Sequence, residues 1–188
     1  MVHYSLILAA LLSATLSAAM PAPQPEAKGL YTIPAAGLPN GMYDVDLNED
    51  GTTHFTLVDV AHPNFTLADT ADSTSAYHAR NLLARDNEGP GCGSRKLSTS
   101  DIQQASNQWI NFCGGGTKWS GRSKAFYYNG VVAYGCSYGG DQGCNKDMMA
   151  TLYGKIAGAC GSDVEGYYSF PQFKAGYGYT VSNGGSFC

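Results

Sequence analysis

The second half of the chain lacks histidine, and this absence restricts the chemistry available there. The four histidines of the 188 residues are His3, His54, His62 and His78. Residues 86–188 therefore cannot supply a Ser–His or Cys–His nucleophilic pair, a histidine general acid or base, or a histidine-ligated zinc. CxxC spacing is also absent, so we expect no metal site, no cofactor and no catalytic residue of these classes.

Cysteine is absent from the first half of the chain. The six cysteines are Cys92, Cys113, Cys136, Cys144, Cys160 and Cys188. An even number of cysteines behind an export signal is typical of a disulfide framework in an oxidising compartment. Sequence alone does not select the pairing. Because a flexible loop separates Cys136 from Cys144, we take this pair as the best single prediction.

Long apolar runs are lacking beyond the N-terminus. Residues 6–12 form a short apolar run, and small residues follow at positions 16–19. This pattern predicts a signal peptide over residues 1–19, cleaved after Ala18 or Ala19. No other segment approaches the roughly 20 apolar residues that span a bilayer. We therefore expect an extracellular protein without a membrane span.

Basic clusters are lacking as well. Residues 1–85 contain three basic and eight acidic residues, whereas residues 86–188 contain eight basic and seven acidic ones. A surface that binds the phosphates of a nucleic acid needs several Lys or Arg side chains on one face. The composition thus argues against nucleic acid as a partner. We also expect the protein to be a monomer.

The change in cysteine content and charge predicts a division into three parts. Residues 1–19 are the signal peptide, residues 20–85 an acidic pro-segment or an N-terminal hairpin plus linker, and residues 86–188 a cysteine-stabilised domain. Within the second part, alternating apolar residues on both sides of residues 48–51 predict a β-hairpin, which alone would be marginally stable.

Two processing sites are predicted outside the cysteine-stabilised domain. Asn64 opens an Asn-Phe-Thr sequon for N-glycosylation. Arg85 directly precedes a flexible stretch rich in glycine, and such linkers are preferred sites of proteolysis. Kexin-type cleavage after Arg85 would release a pro-segment, and the alternative is a linker that stays uncut.

Residues 86–188 show alternating signals for helices and hairpins. Ser100 predicts the start of a first helix that stops at Gly114, and Asn145 predicts the start of a second that stops at Gly161. Asn129-Gly130 predicts a tight hairpin, and two aromatic strands follow the second helix. We therefore predict an α+β fold, a small disulfide-stapled two-layer sandwich with two helices on an antiparallel sheet, preceded by the acidic hairpin and linker.

Two groups of side chains are candidates for function. Exposed aromatic rings bind sugars and protein partners well, and the candidates of this kind are Trp119, Tyr127, Tyr138 and Tyr168. The alternative is that tyrosine simply suits a half-exposed sheet. Paired carboxylates could serve a small hydrolase, with Asp141 acting beside Asp163 or Glu165.

A resemblance rests on the order of cysteines and elements in residues 92–188. Val131-Val-Ala-Tyr-Gly-Cys136, the helix that ends at Cys160-Gly161, Gly166-Tyr-Tyr168 and the terminal cysteine resemble fungal small secreted cysteine-rich proteins. Within that group the chain is similar to effector and killer-toxin-like families. The resemblance implies a virulence, defence or competition protein that binds a host or competitor target without catalysis. A module that binds carbohydrate or cell wall and a carboxylate-dependent hydrolase stay open as alternatives.

Overall fold

The computed structural model describes residues 30–58, the N-terminal segment, and residues 88–188, the cysteine part. The predicted signal peptide, Asn64 and Arg85 lie outside the described residues. In chain order the elements are β1 Tyr31–Thr32, β2 Gly41–Leu47, β3 Thr53–Val58, β4 Gly89–Lys96, α1 Thr99–Cys113, β5 Thr117–Ser120, β6 Ser123–Tyr128, β7 Val131–Ser137, β8 Asp141–Cys144, α2 Lys146–Cys160, β9 Val164–Phe170, β10 Ala175–Val181 and β11 Ser186–Phe187.

The predicted α+β class is confirmed, with a larger sheet than expected. Seven antiparallel strands form the main sheet in the order β3-β2-β6-β7-β10-β9-β4. The pairs β1–β11 and β5–β8 form two small ribbons. All three predicted hairpins are present as β2–β3, β6–β7 and β9–β10.

The N-terminal hairpin is not the isolated element that the sequence predicts. Strand β2 pairs with β6 in a register that runs from Gly41↔Tyr127 to Val45↔Ser123. Tyr43 and Val45 are buried in this arrangement. The hairpin buries its apolar residues against the cysteine part rather than against itself. The main sheet therefore contains strands from both sides of residues 59–87.

The helix starts follow from side-chain caps. Helix α2 begins after Asn145 as predicted, and the Asn145 Oδ1 accepts a hydrogen bond from the Met148 N–H at 2.9 Å. The predicted cap of α1 is wrong by two residues. Ser98, not Ser100, is the cap, because its Oγ accepts from the Asp101 N–H at 3.4 Å. Within the two described ranges, neither helix is long and apolar enough to cross a membrane.

The main sheet is covered on both faces. Every residue of β7 is buried, and successive side chains point to opposite faces. On the helix face, Val131 and Ala133 pack in one cluster with residues of α1 and α2. On the opposite face, Val132 and Tyr134 pack in a second cluster with residues of the N-terminal segment and the C-terminus. The predicted layer of helices on a sheet is present on the helix face. The N-terminal segment and the C-terminus add a second cover on the opposite face, which the sequence did not predict.

Three disulfides fasten these covers, two of them to strands of the main sheet and one to the β5–β8 ribbon. They join Cys92 to Cys160, Cys113 to Cys144 and Cys136 to Cys188. The predicted Cys136–Cys144 pair is wrong. Cys136 belongs to the cluster on the opposite face, whereas Cys144 packs on the helix face, where β8 carries it to the end of α1. Each bridge typically contributes about 2–4 kcal/mol to stability.

A glycine substitution tests the packing of the helix face. A Cβ at Gly135 would lie 2.6 Å from Trp109 Cζ2 and 3.2 Å from Trp119 Cζ2. We expect Gly135→Ala to lower the free energy of unfolding by about 1–3 kcal/mol, because a filled core has no room for the added methyl group. Calorimetry of the oxidised protein measures the change.

Gly154→Ala is the matched control for this substitution. Gly154 lies in α2, and its Cβ would meet no atom within 4 Å. We expect this variant to gain up to about 1 kcal/mol, since alanine favours the helix. A Gly135→Ala protein as stable as the wild type would contradict the packing described here.

Candidate functional site

Four connections of the sheet lie together at one end of the molecule. The strand pairs Leu47↔Thr53, Ala175↔Ser137 and Ala175↔Phe170 place their turns at the same end of the strands. Ser120↔Asp141 brings one end of the β5–β8 ribbon there as well. The loop end, as we call it, consists of residues 48–52, 121–122, 138–140 and 171–174.

Phe173 is the most exposed large apolar side chain at the loop end. It is 67% exposed, and it ends a single 3₁₀ turn, Pro171–Phe173, between β9 and β10. Its ring lies 6.4 Å from the Phe170 ring in an edge-on arrangement. Phe170 in turn packs against Tyr177 of the helix-face core at 6.1 Å. The exposed ring is therefore the outermost member of a column of aromatic side chains.

The main chain beneath Phe173 is fixed by hydrogen bonds. Buried Gln142 donates from Nε2 to the carbonyl oxygens of Phe173 and Lys174, at 3.1 and 3.2 Å. The Tyr138 N–H donates to the same Lys174 oxygen at 2.9 Å. These hydrogen bonds fix the main chain of the turn from which the phenyl ring extends towards solvent.

The support continues into the core through Tyr177. Its hydroxyl donates to the Gly143 carbonyl oxygen of β8 at 2.6 Å, next to Gln142. Burial is the main cause that raises the pKa of Tyr177, to about 12. This phenol stays neutral and keeps its hydrogen bond throughout the physiological pH range.

Trp119 is not the exposed aromatic residue that the sequence predicts. It is only 7% exposed, because the β5–β8 ribbon turns it onto the helix face. There it contacts Trp109 edge-on at 6.1 Å and Tyr177 at 6.4 Å. The polar residues Lys118 and Ser120 on either side point outward. The alternation of these polar residues with Trp119 has the two-residue period of a strand, and this pattern could have predicted that the indole points inward.

The three predicted tyrosines differ in exposure. Tyr127 is fully buried between Tyr43 and Phe55 of the N-terminal segment. Tyr168 is 8% exposed, and the Lys155 Nζ lies over its ring at 5.2 Å. Tyr138 is half-buried, and its hydroxyl donates to the terminal Cys188 carbonyl oxygen at 3.1 Å. Of the four predicted binding residues, only Tyr138 contributes surface to the loop end.

The structure does not bring the predicted carboxylate pairs together. Asp141 lies at the loop end, beside the Gln142 that binds the turn after β9. Asp163 and Glu165 lie at the beginning of β9. Seven residues of strand cover about 20 Å, whereas the two carboxyl groups of a glycosidase lie roughly 5–10 Å apart. Asp141 therefore lies too far from either partner for this chemistry.

Asp163 and Glu165 have structural partners instead. The Asp163 Oδ2 accepts from the Lys96 Nζ at 2.6 Å, and this hydrogen bond lowers the pKa of Asp163. The Glu165 Oε2 accepts from the Thr180 hydroxyl at 2.6 Å, and its Oε1 accepts from the Arg95 N–H at 3.3 Å. Residues 30–58 and 88–188 contain no group of three or more His, Cys, Asp or Glu residues that could hold a metal ion.

Sequence reasoning missed Phe173 and Gln142. The run Pro171-Gln-Phe-Lys-Ala175 reads as a simple connection, and only an apolar residue within a polar turn marks it as unusual. Gln142 carries no signal in sequence, since its role depends on β8 folding back beside the β9–β10 turn.

No family model, curated protein or solved structure matched this chain.

Alkaline titration tests the burial of the tyrosine core. Burial raises the pKa of Tyr127, Tyr153, Tyr177 and Tyr179 above the ordinary value of 10.0. In the folded protein these tyrosines resist ionisation, whereas in the unfolded chain they lose their protons near pH 10. Their contribution to the free energy of unfolding is therefore fully present below pH 10 and is lost as the pH rises towards 12.

We therefore expect the tyrosinate absorbance of these four residues to rise only together with the loss of near-ultraviolet circular dichroism, when both signals are followed on the same sample. A single step near pH 10 that leaves the dichroism intact would show that these rings are accessible to solvent.

Proposed function

We propose that this chain is a secreted, non-enzymatic protein of the effector or toxin-like kind, which binds a host or competitor protein through the loop end. Phe173 is the apolar anchor of the contact. Three disulfides suit an extracellular protein, because such bonds persist in oxidising compartments. The observation that carries the proposal is an exposed phenyl ring on a hydrogen-bonded turn.

A single exposed apolar side chain is common on protein surfaces and has no meaning by itself. Phe173 differs because its turn is held by two hydrogen bonds from the buried Gln142 side chain, and because its ring rests on Phe170. Rigid aromatic anchors of this kind dominate the binding energy of protein interfaces, with polar residues around them excluding water. Exposed Asp141 and Lys174 supply such a polar rim with both signs of charge.

A protein partner is favoured over a glycan by the position of the aromatic residues. Sugar-binding faces usually need an exposed ring platform, and the tryptophan that sequence assigned to it is buried. A carbohydrate or cell-wall target is thus the second candidate, supported by Phe173 and Tyr138 alone. The hydrolase alternative is less well supported, because Asp141 lies at the loop end whereas Asp163 and Glu165 lie towards the opposite end of the main sheet.

The test is quantitative capture of extracellular proteins from host or competitor cultures on immobilised protein. We expect the Phe173→Ser variant to bind the protein captured by the wild-type chain about 30-fold more weakly or worse. The reason is that loss of a hot-spot side chain costs about 2 kcal/mol or more of binding free energy. Chitin and glucan beads, used in parallel, measure the glycan alternative.

Leu57→Ser is the matched control variant. Leu57 is 56% exposed on β3, away from the loop end, so its substitution removes a similar apolar side chain without touching the proposed surface. We expect this variant to retain the target like the wild type. Equal retention by Phe173→Ser and wild type, with both folded, would contradict the proposal.

A further inference from the structure

The N-terminal segment has no disulfide to the rest of the sheet. All three bridges join residues between Cys92 and Cys188. The chain leaves the sheet at β3, which is one edge, and re-enters at β4, which is the opposite edge. Six strand spacings separate these edges, or about 29 Å. Residues 59–87 number enough to cover that distance several times over at full extension.

Main-chain pairing and aromatic packing hold the segment in place. Strand β2 adds to the edge of β6, and β1 pairs with β11. The Tyr127 ring of β6 lies 5.2 Å from Tyr43 and 5.8 Å from Phe55, both edge-on. Just beyond the same end of β6, the Asn129 N–H donates to the Asn40 Oδ1 at 2.7 Å. The segment therefore contacts β6 as an added strand would.

Charges at the β2–β6 junction are complementary. Asp44 forms an ion pair with Lys124, whose side chain is 5% exposed, and a second contact with Arg122 at 3.7 Å. Asp46 pairs with the Arg122 Nε at 3.0 Å. Residues 30–58 contain four acidic residues and no Lys or Arg. The edge of β6 thus presents two cations to an acidic strand.

We infer that residues 30–58 are a non-covalent strand ligand of the cysteine part, and that β6 is a binding edge for an extended segment of alternating apolar and acidic residues. A cut between residues 58 and 88 leaves a two-chain complex and does not by itself free the cysteine part. The segment covers the β6 edge, whose unpaired main-chain groups would otherwise be open to another strand. Cleavage after Arg85 would then be the first of two steps, with dissociation as the second.

The test uses the full chain with a specific protease site inserted after Arg85, cut after purification under oxidising conditions. Native mass spectrometry and gel filtration should show both pieces in one complex at micromolar concentration. A labelled peptide of residues 30–58 should then exchange into the cut complex. Separate elution of the pieces, loss of fold on cutting, or failure of the peptide to exchange would each overturn the inference.

Two variants separate the ligand contact from general stability. Asp44→Asn leaves Lys124 buried without its partner, so the dissociation constant of the labelled peptide should rise by roughly 10- to 100-fold. Asp50→Asn is the control, because Asp50 lies in the exposed turn and its carboxylate bonds only within that turn, to Thr52. Equal affinity of both variant peptides would contradict a binding edge that recognises the acidic strand.

Discussion

The burial of both faces of strands β6 and β7 is the constraint on which the rest of this structure depends. Their side chains alternate between two apolar clusters, and almost none of them reaches solvent. A strand of this kind is stable only when both faces are covered. The helices cover one face, and the N-terminal segment and C-terminus cover the other.

The disulfides follow from the same constraint. Cys92–Cys160 and Cys113–Cys144 fasten α2 and α1 on the helix face, and Cys136–Cys188 fastens the C-terminus on the opposite face. The C-terminal cover is thus cross-linked, whereas the N-terminal cover is held by strand pairing, aromatic contacts and ion pairs alone. This asymmetry is the physical basis for treating residues 30–58 as a separable ligand.

Sequence predicted those features that depend on neighbouring residues. The Asn129-Gly130 hairpin, the Asn145 cap and the β2–β3 hairpin are each specified within a few positions. The pairing of β2 with β6 was not predictable, because register between distant strands depends on contacts that no local pattern records. The same reason explains the Cys136–Cys144 error, where the loop length suggested a meeting that the two faces of the sheet prevent. At the candidate site, Tyr138 was named from sequence and its role in binding stays a prediction, while Phe173 and its support from Gln142 depend on the fold around them.

The most direct test of the two-sided sheet is amide hydrogen exchange of the full-length oxidised protein. With β2 in place, β6 is an interior strand, so peptides covering Gly41–Leu47 and Ser123–Tyr128 should exchange slowly and together. Both should exchange more slowly than the edge strands Thr53–Val58 and Gly89–Lys96. Fast exchange of Gly41–Leu47, with alternate amides of Ser123–Tyr128 unprotected, would show that β6 is an edge and would contradict the account.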